Sequence, residues 1–186
     1  MIKKTSVIID TDPGIDDAVA LAAAFACDRL DIKLISTVSG NVGIENTTNN
    51  ALKLVEFFNK DIKVSKGASR PLIKECEHAE HIHGESGMDG YDFKSPKRSV
   101  YEKNSVEAMR EIIQESDEKI TLVTIGPLTN VATLFLAYPE VKENIEKIVV
   151  MGGSSGRGNV TPAAEFNIYA DPEAAKIVFK AGIKIV

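Results

Sequence analysis

Ser6-Val7-Ile8-Ile9-Asp10-Thr11-Asp12-Pro13-Gly14-Ile15-Asp16-Asp17-Ala18-Val19-Ala20-Leu21 reads as a strand, a tight turn and a helix in succession. Its opening is a short β-branched run that ends at a Pro-Gly turn, which predicts a buried strand over residues 6–10. Beyond the turn, residues 16–27 are apolar on nearly every side (Ala18, Val19, Leu21, Phe25), which predicts a well-buried helix. A strand feeding directly into a helix is the first half of a βαβ unit. The alternation then repeats, with strands predicted over 32–38, 62–65, 120–125 and 148–151, and another beginning at 183–186. Between them Ile44, Thr48, Ala51, Val55 and Phe58 step by four and three, opposite Glu45, Asn49, Lys53, Glu56 and Lys60. Val106, Met109, Ile112 and Ile113 form a similar stripe behind the cap candidates Asn104 and Ser105. A helix over 128–137 stops before Pro139, and Asp171-Pro172-Glu173 starts another with a capping carboxylate and proline at the first helical position. The fold class is α/β, a mainly parallel central sheet with helices on both faces.

The chain has 186 residues, 44% hydrophobic and 26% charged, the balance of one soluble globular domain. No apolar run approaches the roughly 18 residues that a membrane span needs. Twenty-two basic against 27 acidic residues, a net charge of −5, argue against nucleic acid as a partner, because binding a polyanion needs a basic face. Cys27 and Cys76 form no CxxC and no metal spacing, so a reducing cytoplasm is expected. Residues 66–104 carry no periodic apolar pattern and are rich in His, Gly, Glu, Ser and Lys, which predicts a long functional loop or flap. The sequence stops within an apparent buried strand, so the domain spanning residues 1–186 is expected to be incomplete at its C-terminus. The edge left there is expected to drive self-association into homo-oligomers.

Four carboxylates, Asp10, Asp12, Asp16 and Asp17, fall within eight residues directly after the first strand. Such a cluster repels itself unless a cation or ordered hydrogen bonds compensate, and all-oxygen donors suit a hard ion, Ca²⁺ or Mg²⁺. Helix capping by Asp16 and Asp17 is the plainer alternative, but it accounts for one or two acids and not four. Ser39-Gly40-Asn41, Gly126-Pro127-Leu128-Thr129-Asn130 and Met151-Gly152-Gly153 also follow strands. Each alone is ordinary turn chemistry; together with the aspartates they converge on the crevice at the strands' carboxyl ends. Glu165 and Asn167 would bind sugar hydroxyls or satisfy loop backbone. His78, His81 and His83 lie in the long loop without a fourth zinc ligand at the right spacing, which leaves a substrate contact or a solvated loop.

Ile9 to Ala18 resembles the N-terminal signature of the inosine-uridine preferring nucleoside hydrolases. The similarity continues through Gly40-Asn41-Val42, Gly67 to Leu72, His83 to Gly90, Gly126 to Asn130, Met151 to Gly153 and Gly158 to Asn167. The resemblance implies a Rossmann-like α/β fold and Ca²⁺-dependent hydrolysis of the N-glycosidic bond of purine and pyrimidine ribonucleosides, in nucleoside salvage. Asp12 then resembles the calcium ligand that serves as general base, Asp17 the bidentate ligand, and Ile125 a main-chain carbonyl ligand where many relatives have threonine. Asp16 and Asn41 would bind the ribose and its attacking water. Asn159 and Glu165 would hold the 5′-hydroxyl, Asn167 the 2′ or 3′ side. Met151 would line the pocket, and His83 would meet the nucleobase. The family pattern also carries a C-terminal calcium-binding Asp and a His that helps the base depart, neither with a counterpart here. A truncated, non-catalytic ribose- or nucleoside-binding relative is therefore one alternative. Asp10-Thr11-Asp12 also matches the DxD opening of haloacid dehalogenase-type phosphohydrolases, though Pro13 and Gly14 are atypical of that superfamily.

Overall fold

β1 (Thr5–Thr11) is buried along its β-branched run and occupies the middle of the sheet. In the computed structural model, which describes residues 3–186, the spatial order is β3 (Val64–Lys66), β2 (Leu30–Thr37), β1, β4 (Ile120–Thr124) and β5 (Ile145–Val150). Every pairing is parallel, and Ile9 stands opposite Ile35 on one side and Val123 on the other. Ile185 adds a parallel bridge to Ile148, where residues 183–186 were expected to begin a strand.

Successive β1 side chains serve different layers, as the two-residue period of a strand demands. Ile8 joins Leu34, Leu122 and Ile148 beneath α4 (Ser105–Glu115), α5 (Thr129–Ala137) and α7 (Pro172–Phe179). Val7 and Ile9 join Ile35 and Val64 beneath α1 (Ile15–Ala26) and α2 (Ile44–Phe57). The helices thus cover both faces.

The expectation of a well-buried first helix is wrong. Only Asp17, Leu21 and Phe25 of α1 are buried, while Val19 is 69% exposed and Ile15 45%. The contact face is one stripe at a four-residue step. The remaining surface is alanine-rich because alanine favours helix intrinsically, without needing burial. Residues 66–104 are mostly irregular, apart from a single turn, α3 (Glu80–His83). They nonetheless send Met88 into the layer beneath α1 and α2. The 3₁₀ turn Pro139–Asn144 and the short α6 (Phe166–Ala170) had no legible sequence signal.

Two caps act as their sequences suggest. Asn104 accepts from the Glu107 amide at 3.1 Å, and Ser105 is the first helical residue of α4. Asn104→Ala should cost about 1 kcal/mol, read as a lower urea midpoint at unchanged slope. Asp171 accepts from the Ala174 amide at 3.0 Å, and its other oxygen takes the Thr129 hydroxyl and the Leu72 amide.

The strand order reverses between β1 and β4. Connections leaving these neighbours go to opposite sides, which opens a crevice at their carboxyl ends. Thr11-Asp12 leaves β1 there and Ile125-Gly126 leaves β4.

Candidate active site

The Pro13-Gly14 turn folds the aspartate segment back on itself. Asp17, in the first turn of α1, accepts the Thr11 hydroxyl at 2.7 Å and the Gly14 amide at 3.1 Å. The capping reading is therefore correct for Asp17, but capping is only part of what this carboxylate does. Asn41, in the turn after β2, donates its amide nitrogen both to Asp17 Oδ2 and to the Asp12 carbonyl, each at 3.1 Å. Its backbone N–H donates to Asp12 Oδ2 at 2.7 Å. One asparagine thus bridges the two buried carboxylates.

Asp12 is fully buried, and its Oδ1 has no hydrogen-bond partner. Burial, with Asp17 close by, raises its pKa well above the ordinary carboxylate range. Burial lifts Asp17 to about 6 against the hydrogen bonds from Thr11 and Gly14, with Asp16 adding to the rise. Asp10 lies one layer deeper and accepts Ser36 Oγ at 2.5 Å and Asn130 Nδ2 at 2.8 Å, yet burial still raises it to about 7. A buried carboxylate oxygen without a donor is costly and invites a cation.

Above this floor lies a cavity of about 290 Å³, whose walls include Asp16, Asp17, Asn41, His83, Ile125 and Met151. Asn159, Glu165 and Asn167 line it as well. Of the sequence-derived site residues only Asp12 is absent from the wall, because it lies beneath Asn41. Asp16 stands at the mouth, its side chain 70% exposed and 3.9 Å from His83 Nδ1. His83 Nδ1 also accepts the Ile15 amide at 3.3 Å, so the long loop closes onto the start of α1.

Several expected sugar contacts already have partners. Glu165 caps α6 through Asn167 and Ile168 and takes the Gly153 amide at 2.8 Å. Asn159 accepts the Phe166 amide at 2.8 Å. Asn167 Nδ2 donates to the Ile125 carbonyl at 3.0 Å and the Met151 carbonyl at 3.1 Å, joining the ends of β4 and β5. His78 and His81, left by the sequence between a substrate contact and a solvated loop, line the cavity, and so do Tyr169 and Glu77, which the sequence does not single out. Tyr169 has no signal in its local sequence, because only the packing of α6 turns it inward.

Among the described residues no three or more His, Cys, Asp or Glu side chains are grouped as metal ligands. The groups that the resemblance points to offer oxygens only: Asp12 Oδ1, which has no partner, the Asp17 carboxylate, held by Thr11, Gly14 and Asn41, and the Ile125 carbonyl, which accepts from Asn167. That donor chemistry fits a hard cation better than zinc.

The family model described as inosine-uridine preferring nucleoside hydrolase matches residues 7–186. A non-specific ribonucleoside hydrolase RihC from Salmonella typhimurium is 52% identical over the whole chain, which spans 61% of that protein's length. Among solved structures, the plant nucleoside hydrolase PpNRh1 superposes with a TM-score of 0.92 at 39% identity, over 97% of this chain and 58% of that one. A purine-preferring ribonucleoside hydrolase from Gardnerella vaginalis gives 0.93 at 31%, over 97% and 59%. These matches leave no place for the haloacid dehalogenase reading. The chain belongs to the inosine-uridine preferring nucleoside hydrolase family.

Proposed function

We propose that the chain carries the ribose- and calcium-binding half of a ribonucleoside N-glycosidase. The supporting observation is the Asp12–Asp17 pair, bridged by Asn41 at the foot of the cavity, with one buried carboxylate oxygen left without a donor. Water attacks the anomeric carbon, its proton passes to Asp12, and the base leaves with the electron pair of the C–N bond. The transition state is oxocarbenium-like, so carboxylates packed under the sugar stabilise its developing positive charge. Asp16 and Asn41 hold the ribose hydroxyls. Asn159, Glu165 and Asn167 face the rest of the sugar, Met151 packs against it, and His83 meets the nucleobase. Asp12, Asp17 and the Ile125 carbonyl would hold calcium, which when bound supplies positive charge against the carboxylates and lowers the pKa of nearby water.

Residues 66–104 act in this reading as a flap that His83 brings over the nucleoside. Its setting is a reducing cytoplasm, to which the free, exposed Cys27 and Cys76 are suited. Among the described residues no helix is long and apolar enough to cross a membrane. Self-association into homo-oligomers completes the proposal.

The test is release of free base and reducing sugar from inosine, uridine and other ribonucleosides, with calcium present and after chelation. Calcium should also raise the melting temperature, by about 2.7 kcal/mol of stability at a hundredfold excess over its Kd. A calcium response without base release would select the non-catalytic binding relative. No response to either calcium or nucleoside would remove the proposal.

A further inference from the structure

Asn130 is fully buried at the start of α5, and both ends of its side-chain amide are hydrogen-bonded. Its Nδ2 donates to Asp10 Oδ1 at 2.8 Å and the Thr37 carbonyl at 2.9 Å, with Ser36 Oγ a longer third acceptor at 3.2 Å. Its Oδ1 accepts the Ala68 amide at 2.8 Å. Only an amide presents two donors and an acceptor at one end of so short a side chain. An aspartate would lose the donors and set a second carboxylate against Asp10. Gly67 keeps the space open: a Cβ there would overlap both ends of the Asn130 amide.

These four attachments lie on β1, on the end of β2 and on the loop after β3. From them the chain of contacts leads to the site. Ala68, held through its N–H by Asn130, accepts the Ser39 amide on its carbonyl at 2.9 Å. Thr37, held through its carbonyl, lies two residues before Ser39. The Ser39-Gly40-Asn41 turn that follows carries the Asn41 contacts to Asp12 and Asp17.

Resting on the proposed function for its catalytic consequence, we infer that Asn130 is the positioning residue of the carboxylate pair. It seats the Ser39–Asn41 turn from behind, so that Asn41 meets Asp12 and Asp17 in one geometry. The turn has three other holds: the Ala79 amide on the Asn41 carbonyl at 2.9 Å, His78 Nδ1 on the Gly40 carbonyl at 3.0 Å, and Cys76 Sγ 3.7 Å from Ser39 Oγ. All three come from the long loop. Asn130 holds the turn from α5.

The experiment compares the full chain with Asn130→Ala, with the milder Asn130→Ser, and with Asn104→Ala as a destabilised control remote from the site. Serine retains one donor and leaves space for water, so it keeps the comparison available where alanine fails to fold. Hydrogen exchange is measured without metal at the Asn41 amide and normalised to the amides of β4, which removes the global loss of stability. Both Asn130 variants should speed normalised Asn41 exchange about tenfold or more, and the control should not. Calcium alone, titrated into each variant, should bind about tenfold more weakly to the Asn130 variants than to wild type. With nucleoside, KM should rise more than kcat falls. Normalised Asn41 exchange that follows the control in the folded Asn130 variants would overturn the inference, whatever the activity. Lost Asn41 protection in a chain whose wild type hydrolyses no nucleoside would leave the positioning role intact and remove only the proposed reaction.

Discussion

Asp12→Asn is expected to lower kcat for ribonucleoside hydrolysis by about 10²–10⁴, the usual effect of removing a general base. The amide retains an acceptor for the Asn41 backbone N–H, which now meets Asp12 Oδ2 at 2.7 Å, so the turn need not move. The carboxylate that would accept the proton is gone, and with it one negative charge facing the cation. Two readouts separate these effects: single-turnover base release reports the chemistry, and the calcium-induced rise in melting temperature reports the ion. The rise should shrink. The metal-free melting temperature should not fall at neutral pH, because burial and Asp17 already oppose the Asp12 charge. The direction follows from linkage. A buried Asp with a raised pKa binds more protons folded than unfolded, so its folded state loses stability as pH rises above the ordinary carboxylate range. Near-normal turnover in the variant would show that Asp12 is not the base.

Gly40→Ala should disable the site to a comparable degree without touching any ionisable group. A Cβ at this position would overlap Asp12 Oδ2 and lie 2.7 Å from its Cγ and 2.9 Å from Pro127 Cδ. None of these is the free end of a flexible side chain, since Asp12 is fully buried and held by Asn41. The carboxylate must rotate away, or the turns carrying Gly40 and Pro127 must separate. Overpacking of this kind costs about 1–3 kcal/mol of stability. Activity and the calcium response should fall with it. Gly156→Ala is the control, because a Cβ there meets nothing within 4 Å. A Gly40→Ala protein with a normal calcium response would show that the Asp12 carboxylate has room that the packing denies it.

The aspartate cluster and the strand–turn–helix around it were legible because they are local. Each depends on residues within a few positions of one another, and a strand followed by Pro-Gly and a helix start admits few conformations. The crevice was legible for a different reason. Polar clusters after successive parallel strands must lie at the same end of the sheet. What the side chains do within the crevice was less so. The sequence leaves Asn167 between a sugar contact and a backbone contact, and its amide holds the carbonyls of Ile125 and Met151. Those partners come from two other strand ends, which no spacing within the 160s encodes. The exposed face of α1 escaped the sequence reading because alanine, favoured by both burial and helix propensity, does not tell the two apart.

The wide sequence separations that join this site also bear on how the protein acquires it. Asp10 and Asn130 are 120 residues apart, and Leu72 and Asp171 are 99 apart, yet each pair shares a hydrogen bond. Closing such loops costs entropy before any contact repays it, so topologies of this kind fold slowly for their size. The carboxylate floor is therefore expected to assemble only once β1, β2 and the start of α5 have come together, late on the folding route. A ligand of that floor has nothing to grip in the early, collapsed ensemble. It should leave the refolding rate nearly unchanged and act instead by slowing unfolding.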